Sequence, residues 1–397
     1  MRIAITNPTT WPYVRRGGER FINELARFLG ERGHAVTIIS GRPGRGEVRE
    51  SDGYRTVCHR RLWHPSLARM GVLEFHAFFL PCLLSLLRGR YDVVLCCTFL
   101  DTWAAILARK LTGTPCIFWV NSLAPPVRYV RSLTLGGAVL RRAVRDADEV
   151  IALSDYMQAG LTLRFGRAGI RLPVPVDTAR FALNRSRDHA RPVILCAAAL
   201  DDRRKGGRLL VGAFDRLKAV RPEAVLHVSS AVSDRTRTQL TALVSPRWRG
   251  DLHFLGAGEI EGLPGLFGSA AISVLPALWE AFGMVILESM ATGTPVVGAR
   301  HGAIPELISD DGVGRLFDPG VDGPEPTNEA GLTRSMLGAL DLSRDPGTAL
   351  RCRAHAERFG WAAVGPAFEA LLTRLARGAG PAPAATGPER GARGRRA

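Results

Sequence analysis

A chain of 397 residues, 46% of them hydrophobic and 23% charged, is long enough for two or three domains with buried cores. No run of eighteen apolar residues offers a membrane span, and no helix-turn-helix, zinc-finger or aromatic RNA-binding motif points to nucleic acid. The formal net charge of +16 lies forward, with 27 basic against 14 acidic residues up to Arg185 and 26 against 23 beyond it.

The opening residues, Met1-Arg2-Ile3-Ala4-Ile5-Thr6-Asn7, read as a first strand and not as a signal peptide. The loop 8–18 leads into residues 19–31, where Phe21, Ile22, Leu25, Phe28 and Leu29 fall at helical spacing, and Gly33 closes that helix. Strand runs follow at 35–40, 92–96, 115–120 and 149–153. The greasiest stretch, 71–87, holds Glu74, His76 and Pro81 and reads as a core helix, with an interfacial role as its alternative. Residues 173–188, opening Pro-Val-Pro-Val-Asp, read as a linker. A second series of strands is expected at 192–196, 224–228, 253–255, 272–275 and 296–297.

This alternation implies an α/β chain of two Rossmann-like parallel-sheet domains facing a central cleft. We place the first at 1–180 and the second at 190–360. A helix at 361–377 is expected to cross back to the first domain, and the Pro/Gly/Arg-rich tail 378–397 should be disordered. Seven cysteines without metal-ligand spacing, Cys96 and Cys97 among them, read as reduced and mostly buried thiols. A cytoplasmic protein is expected, with peripheral contact at an anionic inner membrane face left open. The forward charge fits either such contact, an anionic acceptor, or a plain solvated surface, since 50 of the 53 cations are arginine.

The chemistry-bearing residues cluster after strand runs. Glu280 and Glu288 bracket Ala281-Phe282-Gly283-Met284-Val285-Ile286-Leu287, in the segment that follows the strand 272–275. A helix starting around Gly283 would point first-turn amides and a positive dipole end at a phosphate. If all eight residues were helical, the two carboxylates would stand about 12 Å apart along the axis. Asp201-Asp202-Arg203-Arg204-Lys205-Gly206-Gly207 follows the first strand of the second unit, and three cations there suit a diphosphate leaving group. Arg16-Gly17-Gly18-Glu19 is a weaker glycine turn that lets backbone approach a ligand. His301-Gly302-Ala303-Ile304-Pro305-Glu306 is expected to line the same cleft. Asp146-Ala147-Asp148 spells a metal-type Asp-x-Asp but sits at a helix exit and reads as turn support; no metal site is expected. Ser154 lacks a nucleophile-elbow setting.

Together these residues resemble the retaining glycosyltransferases of family 4, with the GT-B fold. The resemblance runs from Gly17-Gly18-Glu19-Arg20 to the helix near Trp361. It is most specific at Glu280-Ala281-Phe282-Gly283 to Glu288, Gly293-Thr294-Pro295 and Pro305-Glu306. It implies that Glu280 touches the donor sugar, Glu288 the ribose, amides at Phe282 to Val285 the sugar and diphosphate, and Lys205 with a nearby arginine the diphosphate. It further implies a nucleoside-diphosphate-sugar as co-substrate, no metal or other cofactor, retention of configuration, and a small-molecule or lipid-linked acceptor held by the front domain, with Asn121 and Arg16 expected on that side. Three positions depart from the family pattern. Asn121 stands where a histidine is frequent and cannot exchange a proton near neutrality. Ala198-Ala199 replaces a Gly-Arg pair, which leaves Arg203 or Arg204 as substitutes. Pro-Val-Pro-Val-Asp stands in the linker for Pro-Asn-Gly-Val-Asp. A glycoside hydrolase would need its two carboxylates about 5–10 Å apart across one bond. A GT-B nucleotide-sugar epimerase and a catalytically degenerate sugar-nucleotide-binding protein are the remaining alternatives.

Overall fold

The computed structural model describes residues 1–42, 44–60, 73–122, 135–184, 186–256, 262–320 and 326–378; the tail expected to be disordered lies outside them apart from Gly378. Short runs such as Ile3-Ala4-Ile5, Val93-Val94-Leu95 and Ile117-Phe118 are apolar on both faces. That is the signature of parallel strands covered by helices on either side. They form two sheets.

The front sheet contains β1 (Arg2–Asn7), β2 (Ala35–Arg42), β3 (Glu47–Ser51), β4 (Tyr54–Arg60), β5 (Val93–Cys96), β6 (Cys116–Val120), β7 (Glu149–Ala152) and β8 (Ile170–Arg171). Their order is β3-β4-β2-β1-β5-β6-β7-β8. All neighbours are parallel except β3 and β4, a hairpin turning at Asp52-Gly53 with Gly53 at φ +82°. Packed on it are α1 (Gly17–Glu31), α2 (Leu73–Arg88), α3 (Phe99–Thr112), α4 (Leu135–Asp146) and α5 (Asp155–Phe165). From Leu73 onward the greasy segment is a helix packed against α3. Among the described residues, no helix is long and apolar enough to cross a membrane.

The back sheet is parallel throughout: β9 (Val193–Cys196), β10 (Val225–Val228), β11 (Leu252–Phe254), β12 (Ile272–Leu275), β13 (Val296–Ala299) and β14 (Gly314–Phe317), in the order β11-β10-β9-β12-β13-β14. Its helices are α6 (Gly207–Lys218), α7 (Asp234–Ala242), α8 (Leu263–Ser269), α9 (Met284–Ala291), α10 (Ile304–Leu307), α11 (Glu329–Ser343) and α12 (Thr348–Glu357). The last helix, α13 (Trp361–Ala376), returns to the front unit. Trp361 stacks on Phe28 with centroids 5.2 Å apart, Phe368 meets Phe21 at 5.4 Å, and Glu369 pairs with Arg32 and His34. Where the linker leaves the front unit, Val176 bridges Gly360, so chain entry and exit are tied together at one hinge.

All seven cysteines are free and buried, and burial raises the thiols of Cys82, Cys96 and Cys97 well above their ordinary range. Asp146 pairs with Arg142 and Arg145, while Asp148 accepts the Cys116 N–H at 2.8 Å and pairs with Arg109. Both aspartates are thus absorbed by the turn they support.

Candidate active site

In parallel α/β sheets the strand polarity leaves loops at the carboxyl ends, and here two such ends face each other. Between them lies a cleft of about 760 Å³. Its front wall is the β1–α1 turn with the ends of β6 and β7; its back wall is the loops after β9, β10 and β12 together with Glu288 of α9.

The back wall is organised by a 3₁₀ turn, Arg203–Lys205, capped by the Asp202 carboxylate, which accepts the Arg204 N–H at 3.0 Å. Gly206, at φ +70°, lets the turn dock: a Cβ there would lie 2.5 Å from the Pro276 carbonyl oxygen. The Leu278 N–H donates to the Arg204 carbonyl at 2.7 Å, which joins the turn to the loop carrying Glu280. This docking sets Lys205 Nζ 2.6 Å from Glu280 Oε2, a pair whose side chains are roughly four-fifths buried.

Glu280 sits on a loop, because helix α9 begins only at Met284, with left-handed Gly283 before it at φ +99°. Helical rise therefore does not set the separation of the two glutamates, contrary to the spacing estimate. Across the cleft α1 begins at Gly17, and a Cβ on Gly17 would come within 3.0 Å of Met284 Sδ. Two helix amino ends thus converge on one space, each with first-turn amides that lack intrahelical acceptors. Arg15 and Arg16 rise beside them from the front wall, and Arg15 lies over the Trp11 ring at 5.4 Å.

Glu288 is held from the other unit. The Arg20 guanidinium, on α1, forms a direct charge-assisted hydrogen bond with Glu288 Oε1, and both side chains are at least nine-tenths buried. Arg20 also approaches Glu24 at 3.5 Å and lies over the Phe181 ring. Burial, opposed by Arg20, pushes the Glu24 carboxyl up to about 7.

The loop before Glu280 is strained. Trp279 has φ +60°, a conformation that costs a bulky L-residue on the order of 1–3 kcal/mol. His301 sustains it: its Nδ1 accepts the Trp279 N–H at 3.2 Å, and its ring meets the indole edge-on at 4.6 Å. Burial lowers the His301 pKa, which favours the neutral ring that this acceptor role requires. Ala303 N–H then donates to the Glu280 carbonyl at 2.9 Å, and a Cβ on Gly302 would lie 2.6 Å from that same oxygen. Gly302→Ala is accordingly expected to displace Glu280 and cut turnover about 100-fold. Gly113→Ala, also left-handed but open to solvent, should cost only about 1 kcal/mol of stability. Parallel turnover and melting measurements check this, and equal turnover in the two variants would refute the steric argument.

Of the residues expected at the site, Arg16, Gly17, Gly18, Asn121, Lys205, Glu280, Phe282, Gly283, Met284, Val285 and Glu288 line the cleft. Arg203 and Arg204 do not. The Arg204 guanidinium is chelated by Asp202, with Nη2 at 2.5 Å from Oδ2, because the short turn brings residue i+2 back onto its own cap. His301 to Glu306 do not line it either; they brace Glu280 from behind. Asn121 donates to the Cys97 carbonyl at 3.3 Å. Arg15, Arg20 and the Ser229-Ser230-Ala231 loop, none of them expected at the site, also line the cleft. Arg20 with Glu24 and Arg27 forms an i, i+4, i+7 charged stripe, which in a sequence reads as a solvated helix face.

Two protein-family models match the chain: Glycosyltransferase Family 4 over residues 15–180 and Glycosyl transferases group 1 over 191–332. The phosphatidyl-myo-inositol mannosyltransferase of Propionibacterium freudenreichii is 28% identical over 393 residues, covering 94% of this chain and 95% of that one. Among solved structures, sucrose-phosphate synthase from Thermosynechococcus elongatus superposes with a TM-score of 0.75 at 20% identity, covering 95% of this chain and 99% of that one. HepE of Anabaena in complex with UDP-glucose superposes with a TM-score of 0.70 at 17% identity, covering 94% and 100%.

Proposed function

The chain is a glycosyltransferase of family 4 with the GT-B fold, and from that premise we propose that it moves a hexose from a nucleoside-diphosphate-sugar to an anionic small-molecule or lipid-linked acceptor, with retention and without a metal. The observation that carries the reading is the convergence of two helix amino ends, Lys205 and the Arg15-Arg16 pair on one space. A departing diphosphate needs this arrangement, since its negative charge grows as the glycosidic bond breaks. In this reading side-chain cations and fixed amides neutralise it in place of a metal ion. With Ala198-Ala199 lining the back wall and Arg204 held by Asp202, we assign the second cation for the diphosphate to the front unit, where Arg15 and Arg16 line the cleft. The likeness to HepE with UDP-glucose supports a nucleotide-sugar occupant.

Retention is favoured by what surrounds the carboxylates. The acids lining the cleft are Glu19, Glu280 and Glu288, and the described lining holds no aspartate or histidine. Glu19 accepts the Thr9 hydroxyl at 2.7 Å, Glu280 is paired with Lys205 and Glu288 with Arg20. None stands free as a base for the acceptor hydroxyl. In this reading its proton passes to the departing phosphate oxygen, on the face the leaving group occupies, and the new bond forms on that face. Glu280 orients the sugar hydroxyls, and Glu288, steadied by Arg20, takes the ribose.

The acceptor approaches from the front wall, where Asn121 and Arg16 lie. A phosphorylated or lipid-linked acceptor suits the forward charge, and the exposed Leu80 and Leu84 of α2 give that unit an apolar contact for an anionic membrane. Thermal-shift titration with nucleotide sugars, followed by transfer assays with the best binder, tests the proposal. A nucleotide sugar should raise the melting temperature in a concentration-dependent way. Stabilisation by none of them, or epimerised donor formed without acceptor, would overturn it.

A further inference from the structure

Glu306 was expected in the cleft, yet it reaches the other unit. It lies on α10, directly after the segment that braces Glu280, and its carboxylate accepts two backbone hydrogen bonds at the start of α5 in the front unit. Asp155 N–H donates to Oε2 and Tyr156 N–H to Oε1, each at 2.8 Å. Arg171 stands 3.6 Å from Oε2 and pairs with Asp155 at 2.6 Å. One residue earlier, Ser154 Oγ donates to the Ala281 carbonyl at 2.9 Å in a buried contact, while accepting the Met157 N–H as the cap of α5. A carboxylate on the first-turn amides of an eleven-residue helix is favourable in both hydrogen bonding and dipole.

These contacts share one mechanical path. Ala281 follows Glu280, and Ala303, which holds the Glu280 carbonyl, lies three residues before Glu306. The amino end of α5 thus reaches the Glu280 loop by two routes, directly at Ala281 and indirectly through Glu306 and the Ala303 segment behind Glu280. We propose that Glu306 and Ser154 form an inter-unit latch that couples closure of the cleft to placement of Glu280, so that Glu306 is a positioning residue for transfer. The proposal rests on the reading of the cleft as the donor site. Opening the two units removes both Glu306 hydrogen bonds and the Ser154 bond together, releasing the Glu280 loop from the front unit. Closing restores all three, so Glu280 is fully braced only when water is excluded.

Glu306→Ala is the primary test, with Glu306→Gln as the conservative variant, because a glutamine can keep one of the two amide bonds. Both are compared with the intact protein by small-angle X-ray scattering without ligand, by donor affinity in calorimetry, and by steady-state transfer. Glu306→Ala should raise the radius of gyration and lower kcat by about 10–100-fold, with donor Kd changed less than threefold and Glu306→Gln between. Ser154→Ala should shift scattering and kcat in the same direction. Unchanged scattering together with unchanged kcat in Glu306→Ala overturns the latch, as does a kcat loss matched by an equal loss of donor affinity. Should no sugar transfer be found, the scattering of the ligand-free variants still decides whether the latch holds the units together. Should transfer be found with Glu306→Ala indistinguishable from the intact protein, the latch fails while the proposed function stands.

Discussion

Replacing Lys205 with methionine is expected to lower turnover by about 10²–10³-fold while leaving the fold intact. Methionine keeps most of the side-chain volume, so the loss isolates the ammonium. In the proposed reaction that charge matters most when the diphosphate departs, which puts the effect mainly on kcat. The folded state should lose about 1–3 kcal/mol, because the Lys205–Glu280 pair is mostly buried yet opens on the cleft. Glu280→Gln should be comparably inactive, and the double variant far less impaired than the product of the two, since each single change also strands its partner. Arg204→Met is the matched control: its guanidinium is already held by Asp202 outside the cleft, so turnover should stay within a few-fold of normal. Steady-state kinetics on folded variants check all four. Normal turnover in Lys205→Met, or equal losses in Lys205→Met and Arg204→Met, would remove Lys205 from its assigned role.

How far the sequence discloses such a site depends on whether the determinants are local. The buried parallel strands are short, continuous apolar runs, and all the strands expected in both series are present. The β3–β4 hairpin was not legible, because its partly exposed charged edge lacks an apolar face and only Asp52-Gly53 marks the turn. Strand β14, Gly-Arg-Leu-Phe, is too short and mixed to stand out. The Lys205 turn and the Gly283 helix start are local motifs, visible as strings. Rarity alone did not identify the lysine: Lys218, equally rare, is buried against Asp251 and the Pro222 and Ala224 carbonyls as a structural cation. What stayed hidden were pairings across the two units. Arg20 meets Glu288 over 268 positions and Glu306 meets α5 over 150, and no periodicity encodes such a contact. Arg204 failed for the opposite reason. Its cap lies two residues away, and local chelation overrode the distant ligand that composition suggested.

Arg20→Met is expected to cost about 3–5 kcal/mol of stability, because it leaves the Glu288 carboxylate buried without its cation and deprives Glu24 of the same partner. The deficit should depend on pH with a defined sign. Glu24 has a folded-state value near 7 against an ordinary 4.5, set first by burial and opposed by Arg20. The folded protein therefore binds more protons than the unfolded chain across that window, and this residue's contribution falls as pH rises from about 4.5 to 7. Removing Arg20 takes away the main influence holding Glu24 down, so the window extends upward. The variant should be closest to the intact protein near pH 5.5 and furthest from it near pH 8.5. Glu24→Gln in the Arg20→Met background should recover part of the loss at pH 8.5 and almost none at pH 5.5, where the carboxyl is already protonated. Urea-unfolding midpoints for the three proteins at both pH values measure this. A deficit equal at the two pH values would show that Glu24 plays no part in the penalty. Intact stability at pH 8.5 would show that the Arg20–Glu288 pair does not hold the two units together.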